Sequence, residues 1–221
     1  MYACDGTMLS SVLAPYLTRH ACGRLRCRYR RIRPPELVGQ TWTKRPHDAV
    51  NVVAFTSRVN TVSYWAQRAI MEAQNLQERV EVVSLLLETL RELLQLGNFN
   101  GVMELAGALN AASVNRLKHT WAEVHPKRMR VLHECRRLTG EKSAMREALA
   151  NAHPPCLPYL GTYQSDITFI EDGNPDFLPA DADAPANTLI NFKKRYLGAL
   201  SSYSAAPRPR KRERGERGRR K

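Results

Sequence analysis

No stretch of this sequence approaches 18 consecutive apolar residues, so no spanning helix is expected. The N-terminus lacks a basic start followed by an apolar run, which argues against a secretory signal. Cysteine is scarce. Cys4, Cys22, Cys27, Cys135 and Cys156 make an odd set without one CxxC pair, which favours a reducing compartment over a disulfide scaffold. His20, Cys22 and Cys27 match no standard zinc spacing, so no metal site is assigned. Catalytic signatures are missing too: there is no P-loop, no GxSxG elbow, no HExxH pair and no EF-hand loop. The histidines are scattered at positions 20, 47, 119, 125, 133 and 153. Nothing points to covalent catalysis, and no cofactor is expected.

Basic charge, by contrast, is abundant but confined. The net charge is +13, yet residues 19–33 alone hold seven arginines and no acid, and residues 207–221 hold nine basic residues against two acids. Each stretch nets +7, so the remainder of the chain is close to neutral. A nucleic-acid-binding domain is expected to carry its basic stripe on folded elements, so this distribution disfavours nucleic acid as the partner. Residues 19–33 read either as a solvated basic connector or as a contact for anionic lipid headgroups.

The body reads as eight to ten helices with no convincing alternating strand, an all-α fold. After an interrupted helix at Met8–Leu17, order begins at Pro34-Pro35. Helical spacing of apolar residues runs from Asn51 to Ala73 and again over 77–96, where Val83, Leu86, Leu87, Leu90, Leu93 and Leu94 make a wide stripe ended by Gly97. Val102–Asn110 follows, with small residues Gly101, Ala106, Gly107, Ala108, Ala111 and Ala112. These suit either helix packing or a groove for a partner's segment. Further helices are expected at 114–121, Lys127–Leu138, Glu141–Ala150 and Thr188–Ser201, with a loose acidic loop at Asp181–Pro185 and a disordered tail from Ala205 onward.

Residues 153–176 organise the rest. Pro154, Pro155 and Pro158 make a stiff extended strap. Gly161 frees the backbone, Thr162–Asp172 makes about three helical turns, and Gly173 is placed to end the helix in a left-handed conformation before Asn174-Pro175 turns the chain. The helix is rimmed by Asp166, Glu171 and Asp172 and has few apolar anchors, so it either docks on the body or projects from it as a tool.

Eight segments, in order, carry a resemblance: ELVGQTWTK (36–44), NTVSYW (60–65), NLQERVEVVS (75–84), NFNGVMEL (98–105), VNRLKHTW (114–121), PPCLPYLGTY (154–163), EDGNPDFL (171–178) and LINFKKR (189–195). Together they resemble the catalytic domain of Ras-type guanine-nucleotide exchange factors, most closely the Son of sevenless type, over roughly 34–197. The resemblance implies an all-α bowl with a projecting helical hairpin, about 162–200, whose return helix includes Asn187–Leu200. It implies a Ras-family small GTPase as partner and nucleotide exchange without covalent chemistry, which makes the chain a GTPase regulator and not an enzyme. Thr168 matches the position that crowds the magnesium site, Asp172 the carboxylate that interferes with phosphate-binding groups, and Asn174 the residue closing the turn. Trp42, Asn60, Ser63, Met103, Gly107, Asn110 and Asn115 match the surface for the second switch, and Tyr159 supports the hairpin base. Arg79, Asn98, Phe99, Arg116 and Trp121 are read as core.

The implied organisation is a basic flank over 1–33, partly ordered at most, an exchange-factor domain over 34–203, and a disordered basic tail over 204–221. The implied location is cytoplasmic and peripheral at the inner membrane face, through the basic flanks. Two departures stand out: Gln164 replaces an apolar residue, and Asp172 is one methylene shorter than glutamate. The return helix is expected to break near Leu200, leaving the hairpin less well supported. The alternative reading is therefore an exchange-factor fold that binds a GTPase or another protein without exchanging nucleotide.

Overall fold

The computed structural model of the chain describes residues 23–153, 155–178 and 189–205. The Met8–Leu17 helix, Cys4, His20, Cys22, Pro154, the acidic loop at 181–185 and the tail from 206 onward fall outside them. Among the described residues the fold is all-α. Its principal helices are α1 (Val50–Glu72), α2 (Leu76–Gln95), α3 (Phe99–Asn110), α4 (Pro126–Gly140), α5 (Lys142–Ala150), α6 (Leu160–Gly173) and α7 (Phe192–Ala205). One small exception is a two-residue antiparallel pairing of β1 (Phe177–Leu178) with β2 (Leu189–Ile190), which the alternation of the sequence did not signal.

The leucine stripe forms the main core. Val83, Leu86, Leu87, Leu90 and Leu93 of α2 are buried against Val102, Leu105 and Leu109 of α3 and Leu132 and Cys135 of α4. Both ends of α2 are set locally. The Asn75 side chain accepts from the Glu78 amide at 2.8 Å, an N-cap. At the other end Gly97 adopts φ +60°, its N–H donating to Leu94 O and the Asn98 N–H to Leu93 O, a Schellman closure.

A second cluster gathers distant parts of the chain: Leu25, Tyr29, Ile32 and Leu37, Val52 and Phe55 of α1, Leu157, Leu160 and Ile167, and Ala205 of α7. α1, about 35 Å long at 1.5 Å per residue, serves both clusters, giving Val52 and Phe55 to this one and Ala66 and Ile70 to the main core. Residues 23–29 are helical, and Leu25, Tyr29 and Ile32 are 8%, 3% and 3% exposed. The solvated-connector reading is therefore corrected for 23–33: its apolar face is packed, and of its arginines all but the half-buried Arg26, which donates to Pro155 O, are exposed.

α1 has no capping side chain of its own, since its N-cap is Ala49. Glu36, 5% exposed, supplies one from a distance: its carboxylate accepts from the Asn51 amide at 2.8 Å, the Val52 amide at 3.2 Å and Asn51 Nδ2 at 2.8 Å. Negative charge at a helix N-terminus satisfies orphan donors and complements the macrodipole.

Two expectations are corrected here. The stretch 114–121 is not one helix but two short ones, Ala112–Asn115 and Lys118–Glu123, joined by Trp121 Nε1 donating to Val114 O at 3.0 Å. Arg116 lies at that break and is exposed, not core.

Glu104 is the main polar exception in the core. It is 6% exposed on α3, accepts from Asn100 Nδ2 at 2.9 Å, and burial pushes its carboxyl up to about 7 despite the opposing influence of Arg58 and Asn100. The folded protein thus holds this proton more tightly than the unfolded chain. Stability is fully present below about pH 4.5 and is lost as pH rises towards 7. A shift of this size corresponds to roughly 3 kcal/mol. Glu104→Gln should raise the urea midpoint at pH 8 and leave it nearly unchanged at pH 4.5; equal effects at both pH values would contradict this account.

Candidate functional site

The proline strap does not stand free. Leu157 N donates to Gly97 O at 2.8 Å and Phe99 N to Leu157 O at 2.9 Å, so the strap is bonded to the turn between α2 and α3. α6 then starts after Tyr159 and buries Leu160 and Ile167 in the second cluster. Gly161 serves differently from its expected role. Its backbone is not left-handed, but a Cβ there would sit 2.3 Å from the Tyr159 ring, so glycine leaves room for that ring. Burial raises the Tyr159 hydroxyl above its ordinary range.

An open groove of about 900 Å³ runs between α1 and α6. Trp42, Asn60, Tyr159 and Thr168, four of the expected site residues, line it together with Gln164 and the exposed Phe169. Ser63 meets α3 further along α1, where its Oγ lies 3.8 Å from the Cβ that Gly107 lacks. On α3, Met103, Gly107 and Asn110 fall on the one face that is not buried. Met103 also packs on the same small cluster as Tyr159. Asn110 and Asn115 are brought together by a residue that sequence reasoning missed: Arg136 of α4 donates from Nε to Asn110 Oδ1 at 2.7 Å and from Nη2 to Asn115 Oδ1 at 3.0 Å.

The far end of α6 leads into the hairpin, and here the expected turn chemistry is corrected. Gly173 is not left-handed. Asn174, with extended backbone, instead donates from Nδ2 to Ile170 O at 2.9 Å, so a side chain satisfies the last turn. The return helix is also corrected. Leu189-Ile190 is strand, and α7 begins at Phe192 because Asn191 caps it, accepting from Lys194 N at 3.1 Å and donating to Pro175 O at 2.9 Å. α7 continues past Leu200 to Ala205, the last described residue.

Lys194 ties the two arms. Its ammonium, 5% exposed, donates to Glu171 O at 2.9 Å and pairs with the carboxylates of Glu171 and Asp176, both at 3.1 Å. Desolvation pulls Lys194 down, but its hydrogen bonds and charge contacts with Asp176 and Glu171 outweigh it and raise its pKa. The hydrogen bond from Lys194 correspondingly holds Asp176 below the usual carboxylate range. α6 is also pinned to α5 by an Arg146–Asp166 ion pair and by Lys142 Nζ, 5.0 Å from the centre of the Phe169 ring.

Asp172 is exposed but engaged. Gln40 Nε2 donates to its Oδ1 at 3.0 Å. Gln40 is the one non-glycine residue with positive φ among those described, at φ 59° and ψ 38°, and is 9% exposed. A buried side chain held in a costly backbone conformation marks a position the surroundings over-determine. Only the ELVGQ motif around it gave a signal.

Replacing Lys194 with methionine should cost about 3 kcal/mol, because it leaves the Glu171 carboxylate buried without its cation. Urea unfolding measures this, and an unchanged midpoint would show that the network does not brace the hairpin.

Comparison with known proteins completes the site. The family model described as "RasGEF domain" matches residues 18–196. "Protein son of sevenless" of Drosophila melanogaster is 34% identical over 188 residues, covering 81% of this chain and 11% of that protein. "Ras guanine nucleotide exchange factor J" of Dictyostelium discoideum is 35% identical over 182 residues, 79% of this chain and 21% of that protein. "Ras-specific guanine nucleotide-releasing factor RalGPS1" of Danio rerio is 35% identical over 153 residues, 66% and 26%. This chain therefore spans between 11% and 26% of the length of these curated relatives. With all eight motifs inside one all-α body that carries the groove and the braced hairpin, the chain belongs to the RasGEF domain family.

Proposed function

We propose that this chain accelerates GDP release from a Ras-family small GTPase. The observation that carries the reading is that Thr168, on the hairpin's first helix, lines the same groove as Trp42 and Asn60. A partner seated in that groove meets the hairpin directly. In this reading the second switch rests against Trp42, Asn60, Ser63, Met103, Gly107, Asn110 and Asn115. The hairpin, from α6 through β1 and β2 to α7, enters beside the nucleotide. Thr168 crowds the magnesium site, Asp172 competes for the phosphate-binding groups, and Asn174 keeps the turn closed.

The physics is linkage and needs no bond-making. Magnesium and phosphate hold the switch loops ordered, so an inserted hairpin that removes those contacts raises the nucleotide's off-rate. Returning nucleotide releases the exchanger by the same coupling. The braces from Lys194, Arg146 and Lys142 support this reading, since a wedge transmits force only if its base is stiff. The basic stretches supply the second part of the proposal: they hold the chain peripherally on an anionic cytoplasmic membrane face. No helix among the described residues is long and apolar enough to cross a membrane.

Release of fluorescent GDP from a panel of Ras-family GTPases, at micromolar chain, tests this. Acceleration with at least one member is expected, and Thr168→Ala with Asp172→Ala should lower it at least tenfold while helical circular dichroism is retained. Tight binding to nucleotide-free GTPase without faster release would establish the alternative, a fold that binds without exchanging. Gln40 gives a second test. Gln40→Gly relieves the left-handed backbone but deletes the bond to Asp172, so it should preserve or raise thermal stability by up to about 1 kcal/mol yet slow GDP release. Slower release only in variants that also lose stability would reduce Gln40 to a packing residue.

A further inference from the structure

Two residues expected to meet the GTPase are held by a third that no motif assigned. Asn110 ends α3, Asn115 ends the short helix that follows it, and Arg136 reaches both from α4. Its Nε donates to Asn110 Oδ1 at 2.7 Å and its Nη2 to Asn115 Oδ1 at 3.0 Å. Asn110 and Asn115 are exposed and Arg136 is half-buried, so the cluster opens to solvent. The groups it leaves unused decide what it can bind. Nε and Nη2 form one edge of the planar guanidinium, and both asparagine oxygens are committed to that edge. The remaining edge, Nη1 with the second Nη2 hydrogen, is a two-donor fork that matches a carboxylate. The asparagines contribute only further donors, their Nδ2 groups, which bond nothing else among the described residues.

No acid of the fold answers this charge. Among the described residues no carboxylate pairs with Arg136. The surroundings reinforce it, since residues 105–140 hold seven lysines and arginines against two glutamates, Glu123 and Glu134. Arg116 and Arg137, the chain neighbours of Asn115 and Arg136, are exposed and also outside every ion pair among the described residues. A guanidinium whose position is fixed and whose outer edge is open needs its anion from outside the chain.

We propose that Arg136, seated between Asn110 and Asn115, is a specificity-determining residue that takes an Asp or Glu side chain of the GTPase's second switch. The inference rests on the exchange reading of the preceding subsection and adds the charge that the partner must carry at this corner. Partner choice is a difference between affinities. A carboxylate gains two charge-assisted hydrogen bonds from a fork that the asparagines have already oriented. A lysine or arginine at the same place meets like charge and leaves the guanidinium unpaired beneath the interface. A role confined to fastening α4 against the end of α3 would use the two asparagine bonds and would be indifferent to the partner's charge.

The test is a charge swap read as the affinity of the full chain for nucleotide-free GTPase. In the panel member that binds best, each Asp and Glu of the second switch is replaced in turn with lysine. Arg136→Glu should weaken binding to the unaltered GTPase about tenfold or more. One of the lysine replacements should weaken binding to the native chain yet restore it to the Arg136→Glu chain. Arg136→Gln, which can still bond one asparagine, should bind more weakly than the native chain and lose less affinity as salt rises. Melting curves identify any variant that fails to fold, and the lysine replacements probe the native chain without altering it. Native affinity in Arg136→Glu, an unchanged salt dependence in Arg136→Gln, or a loss that no lysine replacement recovers would overturn the proposal. Absence of binding by every panel member would instead remove the exchange reading, and this inference with it.

Discussion

The Glu36 carboxylate fixes where α1 begins, and most of the site follows from that placement. A helix that serves two hydrophobic clusters has to be held axially as well as laterally, and apolar burial does not specify its axial position. Three hydrogen bonds accepted by one buried acid do. The same anchoring sets the chain that follows Glu36. Gly39 and Gln40 turn sharply with positive φ, which aims Gln40 at Asp172 and delivers Trp42 to the groove. One ionic cap thus registers the floor of the groove against the tip of the hairpin.

The hairpin itself is stabilised by a different kind of interaction from the body. α2 and α3 are held by buried aliphatic surface, which is non-directional and tolerant. Beyond Ile167 the hairpin has few buried apolar groups, and its arms are joined by Lys194, Asn191 and Asn174. Hydrogen bonds and ion pairs of this sort are directional, so they specify an angle between the arms and not merely their proximity. A projecting element exposed on most sides cannot rely on a core, and polar ties are the remaining means of making it rigid.

The helices of the body were legible because the apolar period of each was long and unambiguous, as in α2, where the stripe and Gly97 gave both extent and end. The hairpin was less legible. Gly173 looked like the stop because glycine usually provides one, but Asn174 reaches back to Ile170 with a side chain instead. Leu189-Ile190 read as helix because two residues carry no period of their own, and pairing with Phe177-Leu178 decided them. The expected site residues were named through ordered motifs, and the groove gathers four of them. Arg136, Gln40 and Lys194 escaped assignment because their partners are remote in sequence. Residues 23–33 misled for a related reason: arginine density masked the spacing of Leu25, Tyr29 and Ile32.

The joint between the proline strap and the α2–α3 turn bears on how the chain folds. Its two backbone bonds link Leu157 to Gly97 and Phe99, and the acceptor and donor on that turn are aligned only once α2 has ended in its left-handed glycine and α3 has started. Closing so long an intervening loop is entropically costly before its docking edge exists. The turn therefore acts as a template that must be complete before the strap can dock. The hairpin is consequently a late-forming element, built on a scaffold that has already condensed.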